Sequence, residues 1–289
     1  MNDMHAWEQQ QLADLQAGAA GAVERLLAAR NEPQTRLAAH NLIESQGLPG
    51  AFAEMFGLEC RIAPDDDIFH FFAGHPTSNN PLRDYLADGW RTLSELMLLL
   101  ELVGQPLVGV PSVLEFASGH GRFTRHLVKA LGSERVTVSD VVRGAVDFAY
   151  SHFGVQGLVS SARPEDVSWP RSYGLVFVLS LFSHLPRSSW TRWLQRLWQA
   201  VEPGGLLVFT THGAEAARRA GVVLDESGFF FAPSSESSAI DAVEYGTSFS
   251  NEAFVRRQVQ EVAGADALQR FAPQWFWNHQ DAWVLKRQA

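Results

Sequence analysis

The chain has 289 residues, of which 46% are hydrophobic and 19% charged, and this composition excludes a largely disordered protein. The formal net charge is −9, and no basic cluster exceeds the pairs Arg218 with Arg219 and Arg256 with Arg257, which argues against a nucleic-acid-binding surface. A single cysteine, Cys60, excludes an internal disulfide, and the sequence shows neither a membrane-length apolar run nor a signal peptide, so we expect a cytoplasmic protein without a membrane span.

Two helices are predicted ahead of the main domain, over residues 5–30 and 34–46, with Pro33 between them. Leucine and valine side chains recur at helical spacing in the first helix and form an apolar stripe. Such a stripe usually packs against the parent domain. We therefore predict a helical extension over residues 1–64 and a main domain over residues 65–289. The extension also offers a contact surface for a homo-oligomer.

A glycine-bearing turn follows the first predicted strand of the main domain. Residues 82–103, which precede it, have leucines at helical spacing. The apolar run that begins at Val113 then ends in Glu115, crosses Gly119 and Gly121, and enters a helical pattern. In an open α/β sheet such a turn lies at the carboxyl end of the strand, where ligands bind. The glycines allow a ligand to approach the main chain closely.

The residues around this turn narrow the class of cofactor. Thr124 occupies the third small position of the dinucleotide fingerprint, so the match to a pyrophosphate-binding loop is incomplete. A second strand ends at Asp140, ~20 residues after the turn, where an acid suits the ribose of an adenosine-containing cofactor. Glu115 would repel a phosphate but attracts a cation. A positively charged adenosine cofactor therefore fits better than NAD(P), which remains the alternative.

Further strands and helices follow along the chain. Residues 173–186 have the pattern of a fourth strand and its loop, residues 191–201 that of a helix, and residues 202–213 that of a turn and a fifth strand. Over residues 213–250 the pattern breaks into glycine, serine and aromatic residues. This segment is predicted as either a substrate-covering insertion or an ordinary surface hairpin. A helix over residues 251–262 and two strands complete the sequence.

Several motifs resemble those of class I S-adenosylmethionine-dependent methyltransferases. Residues 115–121, Glu-Phe-Ala-Ser-Gly-His-Gly, are similar to their acid-x-Gly-x-Gly-x-Gly motif, with Ala117 at the first glycine position. The Ser-x-Phe-Ser-His-Leu loop at 180–185, the Thr-His-Gly strand end at 211–213 and the closing hairpin at 275–285 resemble one group of these enzymes. Members of that group occur with polysaccharide and lipopolysaccharide biosynthesis enzymes. The resemblance covers the predicted main domain.

The resemblance implies a Rossmann-like α/β fold, with a seven-stranded, mostly parallel sheet, an antiparallel C-terminal strand and helices on both faces. It also implies S-adenosylmethionine as the cofactor, whose ammonium and sulfonium groups suit an acidic pocket. A Tyr-x-x-x-Gly entry segment, the glycine turn and the ends of later strands would supply the contacts. The implied cofactor-binding residues are Tyr85, Gly89, Glu115, Phe116, Ala117, Ser118, Gly119, Gly121, Phe123, Asp140, Val141, Ala162, Ser180 and Leu181.

The same resemblance implies where the methyl acceptor lies. His184 follows the fourth strand and is the first choice as general base, and His212, at the end of the fifth strand, is the second. The alternative role for His184 is a hydrogen bond to the loop backbone. An antiparallel last strand brings His279 and Asp281 to the same rim as substrate-binding residues. Trp275, also assigned to the substrate, either stacks on a sugar ring or packs against a helix.

These observations favour a methyltransferase that acts on a hydroxyl of a small-molecule or glycan-related acceptor. Two alternatives stay open: an S-adenosylmethionine-binding scaffold that has lost catalysis, and an NAD(P)-dependent oxidoreductase on a similar sheet. No metal is predicted, because the histidines lack the tight local spacing of a metal-binding motif.

Overall fold

The computed structural model describes residues 57–78, 80–233 and 244–288. The two predicted N-terminal helices lie outside these residues, so the extension and its role as an oligomer contact stay predictions. The chain divides into two compact units, Met1–Trp90 and Arg91–Ala289. The second unit contains the whole predicted sheet.

The described residues form seven α-helices, five of which follow β1. The first begins where the Asp66 carboxylate accepts the backbone N–H groups of Ile68 and Phe69, each at 3.0 Å, as an N-cap. The second ends at Glu101, slightly before the predicted end. The helices are α1 (Asp67–Gly74), α2 (Pro81–Glu101), α3 (Thr124–Leu131), α4 (Arg143–Phe153), α5 (Arg187–Gln199), α6 (Ala214–Arg219) and α7 (Glu252–Ala263).

Seven of the described strands form one sheet in the order β3-β2-β1-β4-β5-β9-β8. In this sheet β9 runs in the direction opposite to the other six strands, which confirms the predicted seven-stranded, mostly parallel sheet with an antiparallel C-terminal strand. The remaining two, β6 and β7, form a separate antiparallel pair. The strands are β1 (Val113–Phe116), β2 (Val136–Asp140), β3 (Gln156–Val159), β4 (Tyr173–Val178), β5 (Val201–His212), β6 (Phe229–Ala232), β7 (Thr247–Ser250), β8 (Leu268–Phe276) and β9 (Gln280–Lys286).

Two hydrophobic cores cover the two faces of the seven-stranded sheet. On one face, side chains of α2, α3 and α4, among them Leu96, Leu127 and Phe153, pack on the central strands. On the other face, Trp190 of α5 and Phe254 of α7 pack on the alternate residues of the same strands. Because successive strand side chains point to opposite faces, nearly continuous apolar strands are needed to supply both cores.

The sheet order places two loops side by side. After β3, β2 and β1 the strand order reverses and continues on the other side with β4, so β1 and β4 are neighbours. In doubly wound sheets the ligand crevice lies at the carboxyl ends of the strands where this reversal occurs. The glycine turn after β1 and the loop after β4 therefore border the same crevice.

The predicted insertion contains both a short helix and the β6–β7 pair. Residues 234–243, which lie between these two strands, are outside the described residues. The register of the pair brings Phe231 opposite Ser248 and Ala232 opposite Thr247. This pair belongs to the segment that borders the loop after β4.

Candidate functional site

The turn after β1 requires glycine at one position and leaves open space at another. Gly121 has φ +87°, and a Cβ built on it would come within 2.2 Å of the Phe153 ring. Gly119 has φ +54°, and a Cβ there would meet no atom within 4 Å. Gly121 is thus fixed by packing, whereas Gly119 faces space that a ligand can fill.

This difference predicts two distinct phenotypes in the glycine turn. Gly121→Ala is expected to lower the free energy of unfolding by roughly 2–4 kcal/mol, through the φ strain and the displaced Phe153 ring. Gly119→Ala is expected to cost only about 1 kcal/mol of stability but to weaken cofactor binding, because its methyl group enters the open space. Urea unfolding and calorimetric titration measure the two effects. Equal loss of stability in both variants would contradict the assignment.

Glu115 is a buried acid at the end of β1. One of its carboxylate oxygens accepts a hydrogen bond from the Thr124 hydroxyl at 2.7 Å. Burial is the main cause that raises the pKa of Glu115 to about 8, and the nearby Asp140 adds to it, whereas Thr124 and Arg122 act in the opposite direction. At neutral pH the side chain is therefore largely protonated in the absence of a ligand, and a cation beside it would favour the ionised form.

Asp140 ends β2 and is tied to the glycine turn. One carboxylate oxygen accepts the Gly119 backbone N–H at 2.8 Å, and the other accepts the Val142 N–H at 2.9 Å. Burial raises the pKa of Asp140, and these backbone hydrogen bonds partly offset that effect. A carboxylate has about four lone-pair positions, so both oxygens keep the capacity to accept a further hydroxyl.

A hydrogen-bond network holds the ends of β4, β5 and β9 together. Ser180 has φ +62°, its backbone N–H donates to the Thr210 hydroxyl oxygen at 2.8 Å, and the Thr210 hydroxyl donates to the Gln280 carbonyl oxygen at 2.5 Å. The Gln280 amide donates back to the Ser180 hydroxyl oxygen at 2.6 Å. Ser180 was expected from the motif, whereas its hydrogen bonds with Thr210 and Gln280 were not, since only the strand pairing brings these three residues together.

Three histidine rings lie in a row at this end of the sheet. The centroids of His184 and His212 are 6.2 Å apart, and those of His212 and His279 are 5.0 Å apart. The structure thus brings both predicted base candidates and one predicted substrate-binding residue together. Burial, with the neighbouring His279 and His184, lowers the pKa of His212 to about 4, and burial and Arg219 lower the pKa of His279.

His184 is oriented by the insertion. Its Nδ1 lies 2.7 Å from the carbonyl oxygen of Gly246, and its ring stacks on Tyr245 with a centroid distance of 4.6 Å. A carbonyl oxygen only accepts, so the neutral ring must carry its proton on Nδ1 and its lone pair on Nε2. The two predicted roles of His184 are therefore compatible with each other: the ring hydrogen-bonds the loop backbone through Nδ1, and Nε2 is a basic nitrogen.

Comparisons with known proteins identify the fold of the chain. Residues 113–205 match the model of a methyltransferase domain family. The chain has the class I methyltransferase fold. The solved apo structure of the S-adenosylmethionine-dependent methyltransferase SibL is 16% identical, with 91% of this chain and 77% of that chain covered and a TM-score of 0.50.

Two further solved structures are similar at lower TM-scores. A magnesium protoporphyrin IX methyltransferase from Synechocystis PCC 6803 with bound S-adenosylmethionine is 13% identical, covering 77% of this chain and 90% of that chain, with a TM-score of 0.48. An N-methyltransferase from Bradyrhizobium japonicum WM9 in complex with S-adenosylhomocysteine is 16% identical, covering 78% and 100%, with a TM-score of 0.47. A search of curated protein sequences gives no match.

The residues of the crevice fit the cofactor of the methyltransferase fold. Open space beside Gly119 admits a ligand next to the main chain. Asp140 has the acceptor capacity for ribose hydroxyls, and the protonated Glu115 can become a carboxylate when a cation approaches. A diphosphate would place negative charge beside these two acids. S-adenosylmethionine, which has no phosphate and carries positive charge, is the cofactor that this set of residues supports.

The other residues expected around the cofactor differ in their surroundings: some are packed in the cores and others lie in turns and loops. Phe116 and Phe123 are buried in the two cores, Phe116 against Trp193 and Phe123 against Phe177, so their side chains serve packing. Leu181 is likewise buried. The remaining members are Ala117 with φ +58°, Ser118 in the turn, Val141 after β2, and Ala162, which is exposed. Their cofactor contacts stay predictions.

Two expected cofactor residues lie in the other compact unit. Tyr85 is fully buried there, and its hydroxyl donates to the Asp66 carboxylate at 2.6 Å. Its core partners include Phe69 and Leu82. Gly89 lies one turn later on the same helix. The role of Tyr85 and Gly89 toward the cofactor stays a prediction.

Two of the predicted substrate residues, Trp275 on β8 and Asp281 on β9, make hydrogen bonds within the fold. The Trp275 indole N–H donates to the Glu95 backbone carbonyl at 2.8 Å, which is the helix-packing alternative for this residue. Asp281 is buried and accepts the Gln274 backbone N–H at 2.8 Å. Burial is the main cause that raises its pKa. A role of Trp275 and Asp281 in substrate binding stays a prediction.

Metal-binding clusters and membrane-spanning helices are both absent from the part of the chain that the structure describes. No group of three or more His, Cys, Asp and Glu side chains there is arranged to hold a metal ion. In those same ranges, no helix has both the length and the apolar character to cross a membrane.

Proposed function

We propose that this protein is an S-adenosylmethionine-dependent methyltransferase that methylates a hydroxyl group of a small or glycan-related acceptor, with His184 as the general base. The observation that carries the proposal is the hydrogen bond from His184 Nδ1 to the Gly246 carbonyl oxygen. It gives the ring a defined tautomer with its basic nitrogen on Nε2, in the loop after β4.

The cofactor half of the proposal rests on the crevice beside β1 and β2. Gly119 leaves space next to the main chain, Asp140 accepts hydroxyls, and Glu115 compensates positive charge. When bound, S-adenosylmethionine supplies a methyl group on a positively charged sulfur. The residues of this chain then hold the acceptor oxygen in line with that methyl group and remove its proton.

His184 suits the base role better than His212. The lowered pKa of His212, about 4, makes that ring a weak base at neutral pH. Its Nε2 also lies 3.4 Å from the Gln280 side-chain amide, within the network that fixes the strand ends. His212 is therefore proposed as a neutral neighbour of the base, and His279 as a residue of the rim near the acceptor.

The acceptor class is proposed from the sequence resemblance to methyltransferases that occur with polysaccharide and lipopolysaccharide biosynthesis enzymes. The test is mass spectrometry of cell extracts incubated with the protein and a methyl-labelled cofactor. A new O-methyl group on a small or sugar-containing molecule supports the proposal. Labelling on nitrogen or a carboxylate would exclude the hydroxyl acceptor. Cofactor binding without transfer to any acceptor would identify a scaffold, and binding of NAD instead would identify an oxidoreductase.

Asp140→Ala is expected to weaken binding of S-adenosylmethionine by about 1–3 kcal/mol, because hydrogen bonds from the cofactor hydroxyls to a carboxylate are lost. Asp147→Ala removes the same charge from an exposed position on α4 and serves as the control. Calorimetric titration of both variants measures the effect. Unchanged affinity in Asp140→Ala would remove this residue from the cofactor site.

A further inference from the structure

The insertion is hydrogen-bonded to the loop that carries the proposed base. The backbone N–H of Ser248 donates to the Ser183 carbonyl at 2.7 Å, and the Ser248 hydroxyl donates to the Phe182 carbonyl at 3.0 Å. The Gly246 N–H donates to the His184 carbonyl at 2.8 Å, and His184 Nδ1 donates back to the Gly246 carbonyl at 2.7 Å. His184 and Gly246 are therefore joined in both directions.

The ring of His184 is restrained in two independent ways. The Gly246 carbonyl fixes the direction of the Nδ1–H bond, and the Tyr245 ring, inclined by only 14° to the imidazole, fixes the ring plane. His212 faces the same imidazole from β5. A side chain restrained both at one ring nitrogen and across one face keeps its second nitrogen in a constant direction.

The position of the Gly246 carbonyl is itself fixed by a main-chain contact. A Cβ built on Gly246 would come within 2.1 Å of the Ala232 carbonyl oxygen and 2.8 Å of the Phe231 ring. Because the first of these is a backbone atom of the paired strand, it cannot turn away as a side chain can. Any larger residue at position 246 must therefore displace either the Ala232 backbone or the backbone of residue 246, whose carbonyl holds His184.

We propose that the insertion positions the general base, with the Gly246 carbonyl as the acceptor that selects the Nδ1–H tautomer of His184 and the Tyr245 ring as the surface that holds its plane. This inference rests on the proposed function, since it assigns the orienting partner of the proposed base. Gly246 and Tyr245 are positioning residues, because they act through His184. The insertion, which is predicted to cover the substrate, thereby also orients the general base.

The test is ¹⁵N NMR of the full chain labelled on histidine, in the absence of cofactor and acceptor. The wild type is expected to show a neutral His184 protonated on Nδ1, assigned by the signal that disappears in His184→Gln. Gly246→Ala is expected to lose this fixed tautomer. Gly221→Ala, in the same insertion but with open space around it, is the control and keeps the wild-type signal. A wild-type His184 protonated on Nε2 overturns the inference even if Gly246→Ala does not fold.

The turnover of the same variants is measured with the acceptor identified by mass spectrometry. Gly246→Ala is expected to lower kcat by ~10²-fold with little change in cofactor affinity, and Tyr245→Leu is expected to lower kcat while the tautomer persists. Wild-type kcat in both variants overturns the inference. If His184→Gln keeps the wild-type kcat while the wild-type protein shows the fixed Nδ1–H tautomer of His184, the proposed function is overturned. The orientation of His184 by Gly246 then still holds.

Discussion

Glu115→Gln is expected to make the ligand-free protein more stable at neutral pH and to weaken its binding of S-adenosylmethionine. Glutamine keeps a carbonyl oxygen that can accept the Thr124 hydroxyl, so the local hydrogen bond survives. What it removes is a buried acid whose pKa is raised to about 8. The two expected effects have opposite signs because folding favours the neutral side chain, whereas a bound cation favours the carboxylate.

The sign of the stability effect follows from proton binding. In the unfolded chain Glu115 loses its proton near its ordinary pKa of 4.5, whereas in the folded protein it keeps the proton until about pH 8. Between these values the folded state binds more protons, so the free energy of unfolding falls as pH rises through this window. At pH 7 the free energy of unfolding of the wild type is therefore expected to be roughly 3 kcal/mol lower than that of Glu115→Gln.

Urea unfolding of the two proteins at pH 5, 6, 7 and 8 measures this difference. Asp140 and Asp281 also have raised pKa values, and because both residues are present in both proteins, the comparison reports Glu115 together with its coupling to Asp140. Glu134→Gln, at an exposed position, controls for the loss of one negative charge. Parallel stability curves for wild type and Glu115→Gln would show that Glu115 is already ionised in the folded protein.

The affinity for S-adenosylmethionine is expected to depend on pH in the opposite direction. If the cofactor cation is held by ionised Glu115, binding at pH 7 releases nearly one proton, and affinity rises with pH until about 8, close to the ligand-free pKa. Calorimetry in two buffers with different ionisation heats counts this proton. In Glu115→Gln the release disappears and affinity at pH 8 falls by about 1.5–3 kcal/mol. An unchanged proton count in the variant would place the cation elsewhere.

The positions of the proposed cofactor residues in the sheet were predictable because they are set locally in the sequence. Glu115, Gly119 and Gly121 lie within one strand and turn, and Asp140 ends the next strand. Their order along the chain already indicates at the end of which strand each residue lies. The sheet then brings the ends of neighbouring strands together. The distinction between the two glycines was not predictable, since it depends on the Phe153 ring of a separate helix.

The acceptor side was predictable only in part. His184 and His212 were expected at the ends of β4 and β5, but the partners that define them come from distant segments. Gln280 reaches His212 because β9 pairs with β5 in a register that sets these two residues opposite each other. Gly246 reaches His184 through an insertion whose path is set by tertiary contacts. Register and loop path are decided by packing, which no local pattern encodes.

His184→Gln is expected to lower kcat by ~10²–10⁴-fold and to leave the affinity for S-adenosylmethionine within about twofold of wild type. Glutamine is similar to histidine in size and keeps a side-chain N–H that can donate within this loop, but its amide has no basic nitrogen. A large loss in this variant therefore reports the missing base rather than a displaced loop. His212→Gln is the matched comparison on the neighbouring strand.

The two variants separate the two candidate bases. With a pKa near 4, His212 would accept a proton from a hydroxyl at neutral pH with much less driving force than an unshifted imidazole, so His212→Gln is expected to have the smaller effect. Single-turnover rates at saturating cofactor and acceptor measure the chemical step directly. A larger loss in His212→Gln would transfer the base role to that residue, and wild-type rates in both would mean that the acceptor reaches the methyl group already deprotonated or as a neutral amine.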